Sequence, residues 1–166
     1  ADEYEAHQEG EGSEWIVAWS EHELIRKSFV NLIQMRSGGT HESGLKNGLY
    51  EAIKNFMEQN NLTPKGIKLN SEDVFSRASF ILSTQFIEPQ FQGQTKEKLN
   101  SRRAQALVSL IVKNQFETWL NVNKDEALRI CEICVAQARL RTKKAKKEIN
   151  LGDTGMRVMP GKLTDC

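Results

Sequence analysis

Ser79-Phe80-Ile81-Leu82-Ser83-Thr84-Gln85-Phe86 reads as a strand. Successive strand residues point to opposite faces. Phe80, Leu82, Thr84 and Phe86 therefore share one face, and Ser79, Ile81, Ser83 and Gln85 share the other. A strand that buries one side needs an apolar partner laid against it. Leu45, Leu49, Ala52, Ile53, Phe56 and Met57 supply one, recurring at helical spacing while Lys46, Asn47, Lys54 and Glu58 fall off the stripe. A one-sided strand beside an amphipathic helix points to a sheet covered by helices.

Gly38-Gly39 breaks the chain before that helix, and Asn60-Asn61 with Pro64 end it. Further upstream, Trp15, Val17 and Trp19 alternate with Ile16 and Ala18 as a strand. Glu21 to Lys27 is charged and turn-like, and Phe29 to Ile33 is a second run of strand length. Gly66 to Leu69 has the length of a short strand, and Ser71 is placed to cap a helical turn through Val74.

Downstream of the deciding strand, Glu88 to Lys96 is polar and holds Pro89 and Gly93, which argues for a loop. Ser101 is placed to cap a helix whose apolar face is Ala104, Val108, Ile111, Val112, Phe116 and Trp119. After a break at Asn121 to Asn123, a last helix starts near Lys124 with Ala127, Ile130, Cys131, Cys134 and Ala138 as its stripe. It is expected to end near Asn150. The fold class is thus α+β: a mixed sheet covered by helices, with a long C-terminal helix. The predicted organisation is an acidic loop or hairpin tip over 1–13, one globular domain over 14–150, and a linker over 151–166. No internal repeat is visible.

The 166 residues suffice for one core, and 39% hydrophobic with 27% charged residues is the balance of a globular protein. No apolar run approaches the ~20 residues of a membrane helix, and the acidic start lacks the pattern of a signal peptide. The expectation is a cytoplasmic protein with no membrane partner. Three cysteines, Cys131, Cys134 and Cys166, are too few for a disulfide framework. Cys131 and Cys134 form a C-x-x-C within a helix, without a second pair or a nearby histidine, so core packing is favoured over metal or redox chemistry.

The net charge of +1 conceals polarity. The first fourteen residues carry six acids and no Lys or Arg, whereas Arg139, Arg141, Lys143, Lys144, Lys146 and Lys147 crowd the last helix. That basic run has two readings, a solvated helix end and a polyanion contact, and charge alone favours the first.

No metal-ligand cluster, nucleophile elbow, spaced acid/base pair or Walker pattern is visible, so no catalytic set is complete in these residues. A loop lysine such as Lys96, beside Gln94 and Thr95, has the chemistry to meet a phosphate but is a weak signal alone. Thr40 could cap the first long helix, and His41 reads as a structural histidine.

Three strings change the weighting together. Gly38-Gly39-Thr40-His41 with Gly44-Leu45, then Pro89 to Leu99 around Gln94-Thr95-Lys96, then Pro160-Gly161-Lys162-Leu163-Thr164-Asp165-Cys166 occur in the order and near the spacing of one family. They resemble GGTH-x-x-G, P-x-F-x-x-QTK-x-x-L and PGKLADC in the B subunits of bacterial type IIA DNA topoisomerases. Thr164 stands where that family has Ala, and Glu88 where Asp commonly precedes the proline. Val30 to Ile33 and Pro64 to Leu69 are more similar to the topoisomerase IV branch than to gyrase.

The resemblance implies a transducer domain with a fold like ribosomal protein S5 domain 2, a left-handed βαβ crossover and a long exit helix. It implies that ATP and Mg2+ bind in a preceding GHKL domain, and that the chain leads on toward a TOPRIM domain. Neither cofactor is expected on these residues alone, which should be inactive. It assigns Lys96 as a γ-phosphate ligand with Gln94 and Thr95 beside it, and Lys46 as a contact to double-stranded DNA. It implies as partners a topoisomerase A subunit and a second B subunit, in a bacterial, nucleoid-associated setting. A gyrase parent, or a stand-alone S5-like nucleic-acid module, are the alternatives.

Overall fold

In the computed structural model, residues 11–87, 91–92 and 98–158 are described. The elements in chain order are β1 (Gly12–Trp19), β2 (Arg26–Val30), β3 (Ile33–Gln34), α1 (Thr40–Gln59), α2 (Ser71–Phe75), β4 (Ala78–Gln85), β5 (Phe91–Gln92), β6 (Lys98–Leu99), α3 (Arg102–Val122) and α4 (Lys124–Val158).

The strand read first is the centre of the sheet. The order is β1-β4-β2-β3, with β1 antiparallel to β4 from Gly12↔Gln85 to Trp19↔Ala78. β2 runs parallel to β4, from Arg26↔Phe80 to Val30↔Thr84. Parallel neighbours need a long crossover, and α1 and α2 provide it.

The alternation holds. Ala78, Phe80, Leu82 and Thr84 are buried, while Ile81 and Gln85 are exposed. Trp15, Val17 and Trp19 pack against the same core, as do all six residues of the α1 stripe. From α3 the Phe116 ring reaches β1. It meets Trp15 edge-on at 5.8 Å and stacks on Trp19 at 5.7 Å. α4 closes the core with Ala127, Cys131, Cys134 and Ala138. The result is an α+β arrangement with the helices packed on one face of a mixed sheet.

Several local readings are corrected. Phe29 to Ile33 is not one strand, because the chain reverses at Asn31 (φ 49) and Leu32 (φ 68) and Ile33 pairs back onto Val30. A two-residue hairpin turn with positive φ at both positions matches the strand twist, and asparagine tolerates it. Arg26 and Lys27, placed in a turn by their charge, open β2. Gly66 to Leu69 forms no strand. Asn70, not Ser71, caps α2: its Oδ1 accepts from the Asp73 N–H at 3.0 Å while Asp73 Oδ2 accepts from the Asn70 N–H at 2.9 Å.

Both outer boundaries move as well. Gly12 and Ser13 belong to β1 rather than to an acidic loop, and residues 1–10 lie outside the described residues. α4 runs to Val158, past the end expected near Asn150. A glycine within a helix costs about 1 kcal/mol relative to alanine, so Gly152 does not end it.

Candidate functional site between β4 and α3

The segment read as a loop carries a small hairpin. Phe91 pairs with Leu99 and Gln92 with Lys98, antiparallel. Residues 93–97 join the two strands, and the predicted phosphate residues Gln94, Thr95 and Lys96 are among them, outside the described residues.

Side chains from three distant elements tie down the two ends of this segment. Before β5, the Asn31 side chain pairs with Phe86 as a strand would: Nδ2 donates to the Phe86 carbonyl at 3.0 Å and Oδ1 accepts from its N–H at 2.9 Å. The next N–H, of Ile87, donates to Glu11 Oε2 at 3.1 Å. After β6, the Ser101 N–H donates to Thr40 Oγ1 at 2.9 Å. Ser101 caps α3 as expected, its Oγ accepting from Ala104 N–H at 3.3 Å. Arg103 Nη2 donates to Glu11 Oε1 at 2.6 Å, and its guanidinium lies 5.1 Å from the Phe86 ring centre. Beneath these contacts Val30, Met35, Phe86, Ala104 and Leu107 form a second small core. Thr40 thus serves the start of α3 rather than its own helix, whose N-cap is Gly39.

His41 is fully buried at the start of α1, and neither ring nitrogen has a hydrogen-bond partner among the described residues. Burial pushes its pKa down to about 4, so the ring is neutral at pH 7. Beside it, the Ser28 hydroxyl donates to Glu42. Burial raises the Glu42 carboxyl, opposed by the Ser28 hydrogen bond and by Arg26.

Lys46, the predicted DNA contact, stands on α1 with its ammonium on Glu72 of α2 and 5.8 Å from the Phe75 ring centre. The basic run of α4 divides. Arg141 forks onto Asp73, Nε to Oδ1 and Nη2 to Oδ2 at 3.0 Å each, and also donates to the Lys68 carbonyl at 2.9 Å. Asp73 is buried, so Arg141 serves the fold. Arg139, Lys143 and Lys144 show no ion pair with an acid among the described residues. Of the predicted site residues, the structure thus describes Lys46, on α1, while Gln94, Thr95 and Lys96 lie outside the described residues.

A family model described as DNA gyrase B matches residues 1–149. The chain belongs to the B-subunit family of bacterial type IIA DNA topoisomerases. The B subunit of DNA topoisomerase 4 from Salmonella typhimurium is 42% identical over 160 residues, which cover 95% of this chain and 25% of that protein. Its counterpart in Pseudomonas aeruginosa is 44% identical over 158 residues, 94% of this chain and 25% of that protein. The chain therefore spans about a quarter of the length of these relatives.

Among solved structures, the topoisomerase IV ATP binding domain of Francisella tularensis matches with a TM-score of 0.74 and 41% identity, over 78% of this chain and 36% of that one. The 43K ATPase domain of Thermus thermophilus gyrase B shares the fold, with a TM-score of 0.76 over 87% of this chain and 39% of that one at 22% identity.

For this topoisomerase B-subunit chain, sequence reasoning missed the anchors. Glu11 was one acid in an acidic run, and nothing local separates it from Glu9 or Glu14. Asn31 carried a usable signal, since asparagine between two apolar pairs marks a turn. The cysteines were read correctly: Cys131 and Cys134 are buried. Burial, with the charge of Glu132 adding to it, pushes the Cys131 thiol up to about 11; burial also raises Cys134, with further contributions from Cys131 and Asp73. Neither is a reactive thiolate. Among the described residues, no group of three or more His, Cys, Asp or Glu could hold a metal ion, and no helix is long and apolar enough to cross a membrane.

Proposed function

We propose that this chain is the transducer domain of a topoisomerase IV B subunit, with a fold like ribosomal protein S5 domain 2. The parent would be an ATP-dependent type II topoisomerase that works with an A subunit and a second B subunit on double-stranded DNA. This domain would relay nucleotide state from a preceding GHKL domain to the DNA gate. Topoisomerase IV relatives above 40% identity favour that branch over gyrase.

The observation that carries the reading is the β5–β6 hairpin. Gln94, Thr95 and Lys96 fall between two paired strands, and the ends of the segment are anchored by Glu11 just before β1, Asn31 in the β2–β3 turn and Thr40 of α1. A loop on such a frame suits a group that must meet a ligand held by another domain. Lys96 would hold the γ-phosphate as a point charge, and Gln94 would donate to it. ATP, when bound, supplies a γ-phosphate that is absent after hydrolysis and release. Lys96 has that partner in one nucleotide state only, so the contact biases the domain arrangement. Mg2+ would be held in the preceding domain. Lys46 would make a sequence-independent phosphate contact with DNA, in competition with Glu72.

The test is ATP turnover by the full-length protein reconstituted with its A subunit, comparing wild type with Lys96→Ala. The expected loss is on the order of 10²-fold, the scale of removing one charge-stabilising group. Near-normal turnover in a folded variant would overturn the assignment of Lys96.

A further inference from the structure

We infer that Glu11 is a positioning residue for the Gln94–Lys96 loop, acting through both ends of the segment that carries it. The inference rests on the reading of that loop as a γ-phosphate contact. Burying a carboxylate is costly unless it is paired and hydrogen-bonded. The Glu11 side chain has no exposed surface, and its two oxygens serve different parts of the chain. Oε2 accepts from the Ile87 N–H at 3.1 Å, just before the hairpin. Oε1 accepts from Arg103 Nη2 at 2.6 Å, just after it.

The β5–β6 ladder pairs Phe91 with Leu99 and Gln92 with Lys98 but reaches neither Ile87 nor Arg103. β4 ends at Gln85 and α3 begins at Arg102, so no sheet pairing or helical bond ties residue 87 to residue 103. One carboxylate does so, charge-assisted on the arginine side. Glu11 also immediately precedes β1, so any displacement of the chain there moves both ends of the hairpin segment. A loop that must place a lysine on a phosphate is sensitive to such shifts, since a misplacement of about 1 Å costs on the order of 10²-fold in rate.

The experiment uses the full-length protein with its A subunit and measures kcat and KM for ATP, alongside thermal unfolding. The variants are Glu11→Ala, Glu11→Gln, Lys96→Ala and the combination of each Glu11 change with Lys96→Ala. Glutamine still accepts from the Ile87 N–H but offers no charge to Arg103. Glu11→Ala is expected to lower kcat/KM roughly tenfold or more, and Glu11→Gln to recover part of that loss. In the Lys96→Ala background, neither Glu11 change should add to the loss, because residues acting through one group are not additive.

If Lys96→Ala impairs turnover while both Glu11 variants are normal, or if the losses multiply, the positioning role is overturned and the loop reading stands. If Lys96→Ala leaves turnover normal, the loop reading falls and the role of Glu11 falls with it. Should Glu11→Ala fail to fold, Glu11→Gln alone and combined with Lys96→Ala decides by the same criterion.

Discussion

A Cβ built on Gly44 of α1 would stand 2.6 Å from the carbonyl oxygen of Gln105 on α3. One turn on, a Cβ on Gly48 would stand 2.8 Å from the Ser109 carbonyl oxygen and 2.9 Å from Val112 Cβ. The two helices cross at backbone distance because these positions carry no side chain. In an exposed helix, alanine would improve on glycine by about 1 kcal/mol. Here the added methyl must push two backbones apart, so Gly44→Ala should destabilise by about 1–3 kcal/mol, the usual cost of overpacking. Urea unfolding of the 166-residue chain measures it. A midpoint equal to or above wild type would mean the crossing yields freely.

How much of this was readable from the chain follows from the range of each interaction. The α1 stripe needed only the spacing of Leu45, Leu49, Ala52, Ile53, Phe56 and Met57, and all six are in the core. The β4 alternation was equally local. Gly44 was visible as part of a motif, but its reason lies across the crossing on Gln105, far away in sequence. Lys46 and Arg141 were each read as cations, yet their partners Glu72 and Asp73 come from α2, which no periodicity places beside α1 and α4. The frame of the candidate site joins Glu11 to Ile87 and Arg103, and Thr40 to Ser101; such pairings exist only once the topology does. The assignment of Gln94, Thr95 and Lys96 to a phosphate rests on resemblance, since a lone lysine in a polar loop has no physical signature.

Arg141 gives a test of the α2–α4 contact. Its guanidinium forks onto both oxygens of the buried Asp73 and reaches the Lys68 carbonyl. A lysine keeps the charge but cannot reproduce the fork. Arg141→Lys should cost roughly 1–3 kcal/mol, the range for leaving buried acceptors poorly satisfied. Amide exchange should quicken in α2, at Ser71–Phe75, before it does in α1. Unchanged protection there would show that the capping box of Asn70 and Asp73 holds α2 without help.

Lys46 and Glu72 form a pair that duplex DNA would have to break. If Lys46 contacts phosphate in the full-length protein, Lys46→Ala should lower the slope of log affinity against log salt by about 0.9. Glu72→Gln should act the other way, raising affinity at low salt by removing both a competitor and a repelling charge. Filter or fluorescence binding over a salt series reads both. An unchanged slope in Lys46→Ala would remove this residue from the DNA interface.

His41 makes stability depend on pH with a definite sign. Its pKa is near 4 when folded against 6.5 for an ordinary histidine. Between those values the unfolded chain binds a proton that the folded chain does not, so stability rises with pH through this window. The contribution is complete above about pH 6.5 and is lost as pH falls toward 4, up to about 3 kcal/mol for a shift of this size. Glu42 acts oppositely: its carboxyl is raised, so its contribution weakens as pH climbs past its ordinary 4.5. Urea unfolding at pH 5 and pH 7.5 should therefore show wild type weaker at pH 5. His41→Leu should flatten that difference, and it should cost little at pH 7.5, because neither ring nitrogen gives up a hydrogen bond to a described residue. A His41→Leu chain that keeps the full pH dependence would assign it to other groups.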